Sequence, residues 1–332
     1  MTTELPYDLT VVITSYNRRE LLRRCLDSLA VQTLDDSRFE VLVLDDGSAD
    51  GTTEMVESLS TPYRLRLLSG KQRRWARARN VGVEAAEGRI CLHVDDDIIC
   101  GAEMLAGHVA AHAEGERTVA IGKLTQAPPD ADDWYAHAFA QGLNEHYDEL
   151  LHRPPAWTDC YGANLSTTRA VYLEIGGFAT DLTAAIDLEF GFRLVEAGCT
   201  LRYLPDADGI HDDQKLSHRM LEDAKAAGRD HPRVVEKHPS TESQMLDWVG
   251  PAGPVELTIR KALVVTRTPP VALAVLGRLL PGSGRKMIWL HFVRRVAFWR
   301  SVHENVDRAR WRQLTSGEAA AIREPGATQS VP

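Results

Sequence analysis

The sequence predicts an α/β fold, a mostly parallel sheet with helices on its faces. Three observations carry that expectation. Short apolar runs of strand length alternate with longer amphipathic stretches through the N-terminal third. Three of those runs stop abruptly in polar or acidic residues, at Ser15-Tyr16-Asn17, Asp45-Asp46 and Asp95-Asp96-Asp97. Ligands of open α/β sheets gather at the carboxyl ends of strands, so these stops mark one edge as functional.

In chain order, Leu9 to Ser15 reads as the first strand. Asn17 can cap the amphipathic helix expected over Arg18 to Ala30, with Glu20 completing the box. Phe39 to Leu44 is the second strand and ends in the Asp45-Asp46-Gly47-Ser48 turn. A helix over Thr52 to Leu59, a weaker strand over Tyr63 to Leu68 and a helix over Trp75 to Ala86 follow. Ile90 to Val94 is a mostly apolar run, as a buried central strand should be. Beyond Gly101 come a helix to about Ala113 and a strand over Val119 to Leu124. Ala127 to Pro155 reads as an irregular binding loop or lid. Tyr161 to Thr168 is a strand or turn, Arg169 to Ile175 a short helix, Asp187 to Ala197 a helix, and Thr200 to Leu204 a last strand. A helix is expected over Leu216 to Gly228, and Pro251 to Pro254 is the expected domain boundary.

With 332 residues, 44% apolar and 26% charged, the chain can bury a sizeable core. A net charge of -9 argues against a nucleic-acid partner. The five cysteines are odd in number and lack metal-ligand spacing, which points to reduced thiols and a cytoplasmic protein. The polar opening does not read as a signal peptide. Between Val255 and Thr315 about twelve Lys or Arg stand against about three acids. This basic, aromatic-rich extension over 251–315 suggests peripheral contact with the inner face of a membrane through 255–313, or a helical pair packed on the body. The tail 316–332 is small and polar and is expected to be disordered.

The Asp triplet is the strongest chemical signal. Three adjacent carboxylates repel one another, and a hard divalent cation such as Mg²⁺ offsets that repulsion with oxygen ligands. The plainer alternative is an acidic loop capping the next helix. No G-x-G-x-x-G follows the first strand and no P-loop is present, so metal carboxylates and arginines must hold phosphate here.

Five elements in order, Thr14-Ser-Tyr-Asn17, Asp45-Asp-Gly-Ser48, Arg77-Ala-Arg-Asn80-x-Gly82, Asp95-Asp-Asp97, and Gly176-Gly-Phe178 through Asp187-x-Glu189 to His211, resemble an inverting family 2 glycosyltransferase of the GT-A fold. The likeness spans Leu9 to Asp213. It implies a GT-A domain over 1–250, with a nucleotide-binding half to about residue 105 and an acceptor-side half beyond. It also implies a nucleotide-sugar donor, UDP foremost, and Mn²⁺ or Mg²⁺. Thr14, Tyr16, Asn17, Asp46, Arg79, Asp95 and Asp96 would bind the nucleotide, while Asp97 and His211 would hold the metal. Arg73 and Arg74 are expected to be solvated. Asp187 is the expected general base and Glu189 the fallback, since Ile186 stands where the family often has Glu. Asn164 and Arg193 are expected on the acceptor side. The acceptor could be a glycan, a lipid-linked carrier or a small molecule. Two rival readings stand: a nucleotidyltransferase, which would want a glycine-rich, lysine-bearing loop after the first strand, and a degenerate module that binds without turnover.

Overall fold

The computed structural model describes residues 5–70, 75–127, 134–212 and 217–246, and within 258–315 all but 260–261, 265, 267–268, 278 and 281–282. By compactness the chain divides into 1–215 and 216–332. That division precedes the expected 251–254 boundary, which lies outside the described residues, as do Arg73, Arg74, Asp213 and 316–332.

Unit 1 is organised on one eight-stranded sheet of order β3-β2-β1-β4-β7-β6-β8-β5. Its first half is β1 (Tyr7–Ser15), β2 (Phe39–Asp45), β3 (Arg64–Ser69) and β4 (Gly88–Asp95), all parallel to one another. Helices α1 (Arg19–Leu29), α2 (Thr52–Ser58) and α3 (Trp75–Ala85) connect them. Every residue of β2 is buried, as are most of β1 and β4, which is why these strands read as mostly apolar runs. Glu40, a fully buried carboxylate of β2, is satisfied. It accepts from Thr10 Oγ1 at 2.8 Å, Arg66 Nη1 at 2.9 Å and the Glu87 amide at 2.7 Å.

The second half is mixed. The three-residue strand β5 (Ile98–Cys100) follows the Asp triplet at once. Next come α4 (Met104–Ala111), β6 (Thr118–Gln126), α5 (Trp134–Glu149), β7 (Asn164–Thr168), α6 (Arg169–Glu174), α7 (Ile186–Glu196) and β8 (Thr200–His211). Strand β7 runs antiparallel between β4 and β6, β8 lies parallel to β6, and β5 pairs antiparallel with β8.

Two expectations change here. The segment 127–155 contains the sixteen-residue helix α5 rather than an irregular lid. Ala136, Ala140 and Tyr147 are its buried positions, with Leu150 just beyond its end, a helical spacing diluted in the sequence by His and Asp. The last strand does not end at Leu204 but continues to His211. Pro205, which lacks an N–H, falls in the register shift between the pairs Gly122–Leu204 and Leu124–Gly209, where no ladder donor is required.

In unit 2, helix α8 (Ser217–Lys237) packs on the long helix Ser283–Asn305. Gly228 does not end α8 as expected. A Cβ there would stand 2.3 Å from the Phe298 carbonyl, so the glycine permits close crossing. Ser301 Oγ donates to the Lys225 carbonyl at 2.7 Å across the same contact. Among the described residues no helix is long and apolar enough to cross a membrane.

Candidate active site

At the carboxyl ends of β1, β2 and β4 lies a cleft of about 380 Å³. Thr14, Ser15, Tyr16, Arg18, Asp46, Trp75, Arg79, Asp95, Asp96 and Asp187 are among the residues that line it. The parallel register sets this meeting: Thr14 pairs with both Leu44 and Asp95, so three strands end level.

The rim comes from the turns after β1 and β2. Asn17 adopts φ 53°, a left-handed conformation that Asn tolerates better than most residues. It does not cap α1 as expected. Its amide donates to Ser48 Oγ and its Oδ1 accepts from the Ala49 amide, both at 2.8 Å, lacing the two turns together. Asp45 accepts from the Ser48 amide and from Thr53 Oγ1 and so shapes the turn. Asp46 is left facing the cleft and a smaller adjoining cavity lined by Leu68, Ser69, Ala78 and Val81. The Tyr16 ring is 57% exposed at the rim.

The triplet splits into three tasks. Asp96 is buried, with one oxygen accepting from Ser15 Oγ at 2.7 Å and the other from Arg18 at 3.0 Å. Burial pushes its pKa up to about 7, against the pull of Arg18. Asp97 is also buried. Its Oδ2 takes a 2.7 Å bond from Arg18, while its Oδ1 has no hydrogen-bond partner. Burial raises its pKa, and His211 opposes the shift. Asp95 accepts from Arg79.

Strand β5 brings His211 to the triplet, because the Ile98–His211 pair sets the imidazole beside Asp97, Nε2 to Oδ1 at 3.4 Å. Gln126 then orients that ring. Its Nε2 donates to the His211 carbonyl at 2.9 Å, which leaves its Oε1 to accept from His211 Nδ1 at 3.0 Å. A proton held on Nδ1 leaves the Nε2 lone pair free to face Asp97. Among the described residues Asp95, Asp97 and His211 form a cluster able to share one ion, each offering one atom, all within 4.8 Å of one another. An orphaned buried carboxylate oxygen, a second carboxylate and an imidazole fit a divalent cation.

Arg79 and Asp187 form the cleft floor. The Arg79 guanidinium is buried and stacks on the Trp75 ring at 4.4 Å. Its Nε and Nη1 are buried without a partner. Asp187 stands in the first turn of α7, two residues after Ala185, whose φ of 52° is unusual for a residue with a Cβ. Its Oδ1 is likewise unpartnered. Gly162 backs onto both groups: a Cβ there would sit 2.4 Å from Arg79 Nη1 and 2.8 Å from Asp187 Oδ1. Loss of solvent pushes the Asp187 pKa up to about 6, while Arg79 pulls it down. Buried donors and acceptors left open in this way are rare outside sites that take a ligand.

Three expected site residues lie elsewhere. Glu189 is buried and holds Arg193 through both oxygens, at 2.8 and 2.7 Å. Arg193 also donates to the carbonyls of Ile175 and Gly177. Asn164 is 1% exposed, accepting from His108 and donating to the Ala207 carbonyl, in the sheet interior rather than on an acceptor surface. The Gly176-Gly177-Phe178 turn is tied to α3 through Asn80, which bonds both the amide and the carbonyl of Phe178 at 2.9 Å. Sequence reasoning missed Ser15, Arg18, Trp75 and Gln126. Trp75, four residues before Arg79, was the one with a local signal.

Residues 10–176 match the model of the family described as Glycosyl transferase family 2. The chain is 30% identical over 214 residues to glycosyltransferase AglE of Haloferax volcanii, covering 64% of this chain and 68% of that one. It is 28% identical over 260 residues to a validoxylamine A glucosyltransferase of Streptomyces hygroscopicus, covering 70% of this chain and 57% of that relative's length. In fold it resembles the mannosyltransferase PcManGT of Pyrobaculum calidifontis, solved with GDP-Man and Mn²⁺ (TM-score 0.58, 19% identity, 90% and 86% of the chains covered). It also resembles S. aureus TarS 1-349, solved with UDP-GlcNAc (TM-score 0.57, 17% identity, 90% of each). The mixed sheet with its flanking helices is the expected GT-A fold.

Proposed function

The chain belongs to glycosyl transferase family 2, and from that premise we propose a metal-dependent, inverting transfer of a sugar from a nucleotide diphosphate to a hydroxyl acceptor. One observation carries this reading. A carboxylate–imidazole cluster and a separately placed carboxylate of raised pKa serve one cleft, with a buried arginine between the elements that bear them.

Asp95, Asp97 and His211 would hold the ion. Bound there, it would supply Lewis-acid neutralisation of the charge developing on the diphosphate. The imidazole ligand favours Mn²⁺ over Mg²⁺. Tyr16 packs on the nucleobase and Asp46 accepts from its N–H, while Thr14 lines the same corner. Arg79 offers its open Nε and Nη1 to the anionic donor. Asp187 accepts the proton of the acceptor hydroxyl as its oxygen bonds to the anomeric carbon. The bond to the diphosphate breaks on the opposite side and its electron pair leaves with the diphosphate. A base of pKa about 6 is ionised at neutral pH, and no carboxylic acid is required for so stable a leaving group.

UDP is the proposed carrier. The chain spans just over half of the glucosyltransferase it matches, and the acceptor is proposed only as a glycan, a lipid-linked carrier or a small hydroxyl compound. Five buried free cysteines suit a reducing compartment, and the cytoplasm is the proposed location.

The test is the thermal midpoint in UDP, GDP, dTDP and CDP, each with and without Mn²⁺. A ligand of the native state raises it. A metal-dependent rise with UDP alone supports the reading. A rise with another nucleotide moves the carrier, and no rise in folded protein removes the donor site.

A further inference from the structure

We propose that the exposed apolar edge of unit 2 docks on an anionic lipid surface. Helix Pro270–Gly277 carries no charged residue. Its inner side is buried at Leu273, whose carbonyl accepts from Trp289 Nε1 at 2.7 Å. Its outer side is open: Val271, Val275 and Leu276 are each more than half exposed, and Leu279 just beyond the helix is 80% exposed. The Trp289 bond fixes the start of helix Ser283–Asn305 against the same helix, and Ile288, next to that tryptophan, is 72% exposed. Large aliphatic side chains grouped in this way mark a surface that meets something apolar.

Charge selects the partner. Arg285 is exposed and shares a helix face with Ile288 three residues on, and Lys286 is half-buried beside it. The stretch 255–315 holds twelve Lys or Arg against three acids in a chain whose net charge is -9. A second copy of the chain seated on this edge would set the same cationic rim against itself. An anionic bilayer meets both features at once. The aliphatic side chains enter the headgroup–acyl boundary, and the long cationic side chains reach the phosphates. No membrane-crossing helix is needed. The docking does not rest on the sugar-transfer reading, but where both hold, the acceptor is one carried at a membrane.

Flotation of the full chain with vesicles tests it, using phosphatidylcholine alone and phosphatidylcholine mixed with phosphatidylglycerol. The expected result is flotation with the anionic vesicles only, weakened by salt. The double variant Leu279→Glu/Ile288→Glu should bind at least about tenfold more weakly. Arg285→Glu/Lys286→Glu should lose roughly 30-fold or more at low salt. All four positions are open or rim sites, so the thermal midpoint and the UDP–Mn²⁺ shift should stay unchanged, which separates this result from the fate of the donor site. Absence of flotation in folded protein overturns the proposal. So does flotation that neither variant alters, or light scattering showing that Leu279→Glu/Ile288→Glu turns an oligomer into monomers without changing flotation.

Discussion

The parallel half of the sheet, β1 to β4, and the mixed half, β5 to β8, each supply one part of the cleft, and they do so by different means. In the parallel half, level strand ends deliver Thr14, Asp46 and Asp95 from the ends of three strands to one edge. Position along the chain is enough to place them. In the mixed half nothing local points His211 or Asp187 at that edge. His211 arrives because a three-residue strand pairs back on β8, and Asp187 because α7 starts after a left-handed residue. The lesson is one of division: the groups proposed to bind the donor come from the regular half, while the proposed base and the imidazole come from the half held by long-range pairing.

That division can be broken from either side. The largest effect is expected at Asp187→Asn, which should lower kcat by about 10³-fold or more while the UDP–Mn²⁺ thermal shift persists. In the parent protein kcat/KM should rise with pH through about 6 and then level off, because the base acts only when ionised. The same group sets a stability term of definite sign. Its folded pKa lies above the ordinary 3.8, so the fold loses stability as pH rises through that interval. Asp187→Asn should therefore be more stable than the parent at mildly alkaline pH, by roughly 3 kcal/mol, and the difference should vanish in acid, below the unfolded pKa.

Asp97→Asn strikes the metal cluster, and isothermal titration should show Mn²⁺ affinity falling by about 100-fold, with the nucleotide shift losing its metal dependence. Glu189→Gln tests the neighbouring carboxylate. It leaves Arg193 without its ion-pair partner and should cost about 3 kcal/mol in a denaturation midpoint, with KM of the surviving folded fraction little changed. A kcat collapse in folded Glu189→Gln would instead return the base to that residue. The smallest effect is expected for Gln126→Leu. It frees the His211 ring to take either tautomer and should weaken Mn²⁺ about tenfold without loss of fold. An unchanged Mn²⁺ affinity would sever His211 from the metal.

The neighbours Asp187 and Glu189 show what could be read beforehand. Both are acidic residues in the first turn of one helix, and by sequence either could serve as a base. The structure separates them: Glu189 is bound through both oxygens to Arg193, whereas Asp187 keeps an open oxygen beside Gly162. Asn164 and Arg193 carry polar groups that suited an acceptor surface, yet the fold uses them to satisfy carbonyls inside it. Such assignments depend on who stands opposite, which one chain position does not state.

By itself the sequence determined most of the strands and helices of unit 1, though not the short strand β5. Burial on both faces demands continuous apolar runs, and a helix face repeats every three or four residues. It also determined which strand ends carry carboxylates. Only the tertiary structure decided the rest: that 134–149 is helical, that β8 runs through Pro205 to His211, that Arg18 and Gln126 hydrogen-bond to Asp97 and His211, and that Asp187 rather than Glu189 faces the cleft. Those outcomes are set by pairing and hydrogen bonding between residues far apart in the chain, and local periodicity carries no record of them.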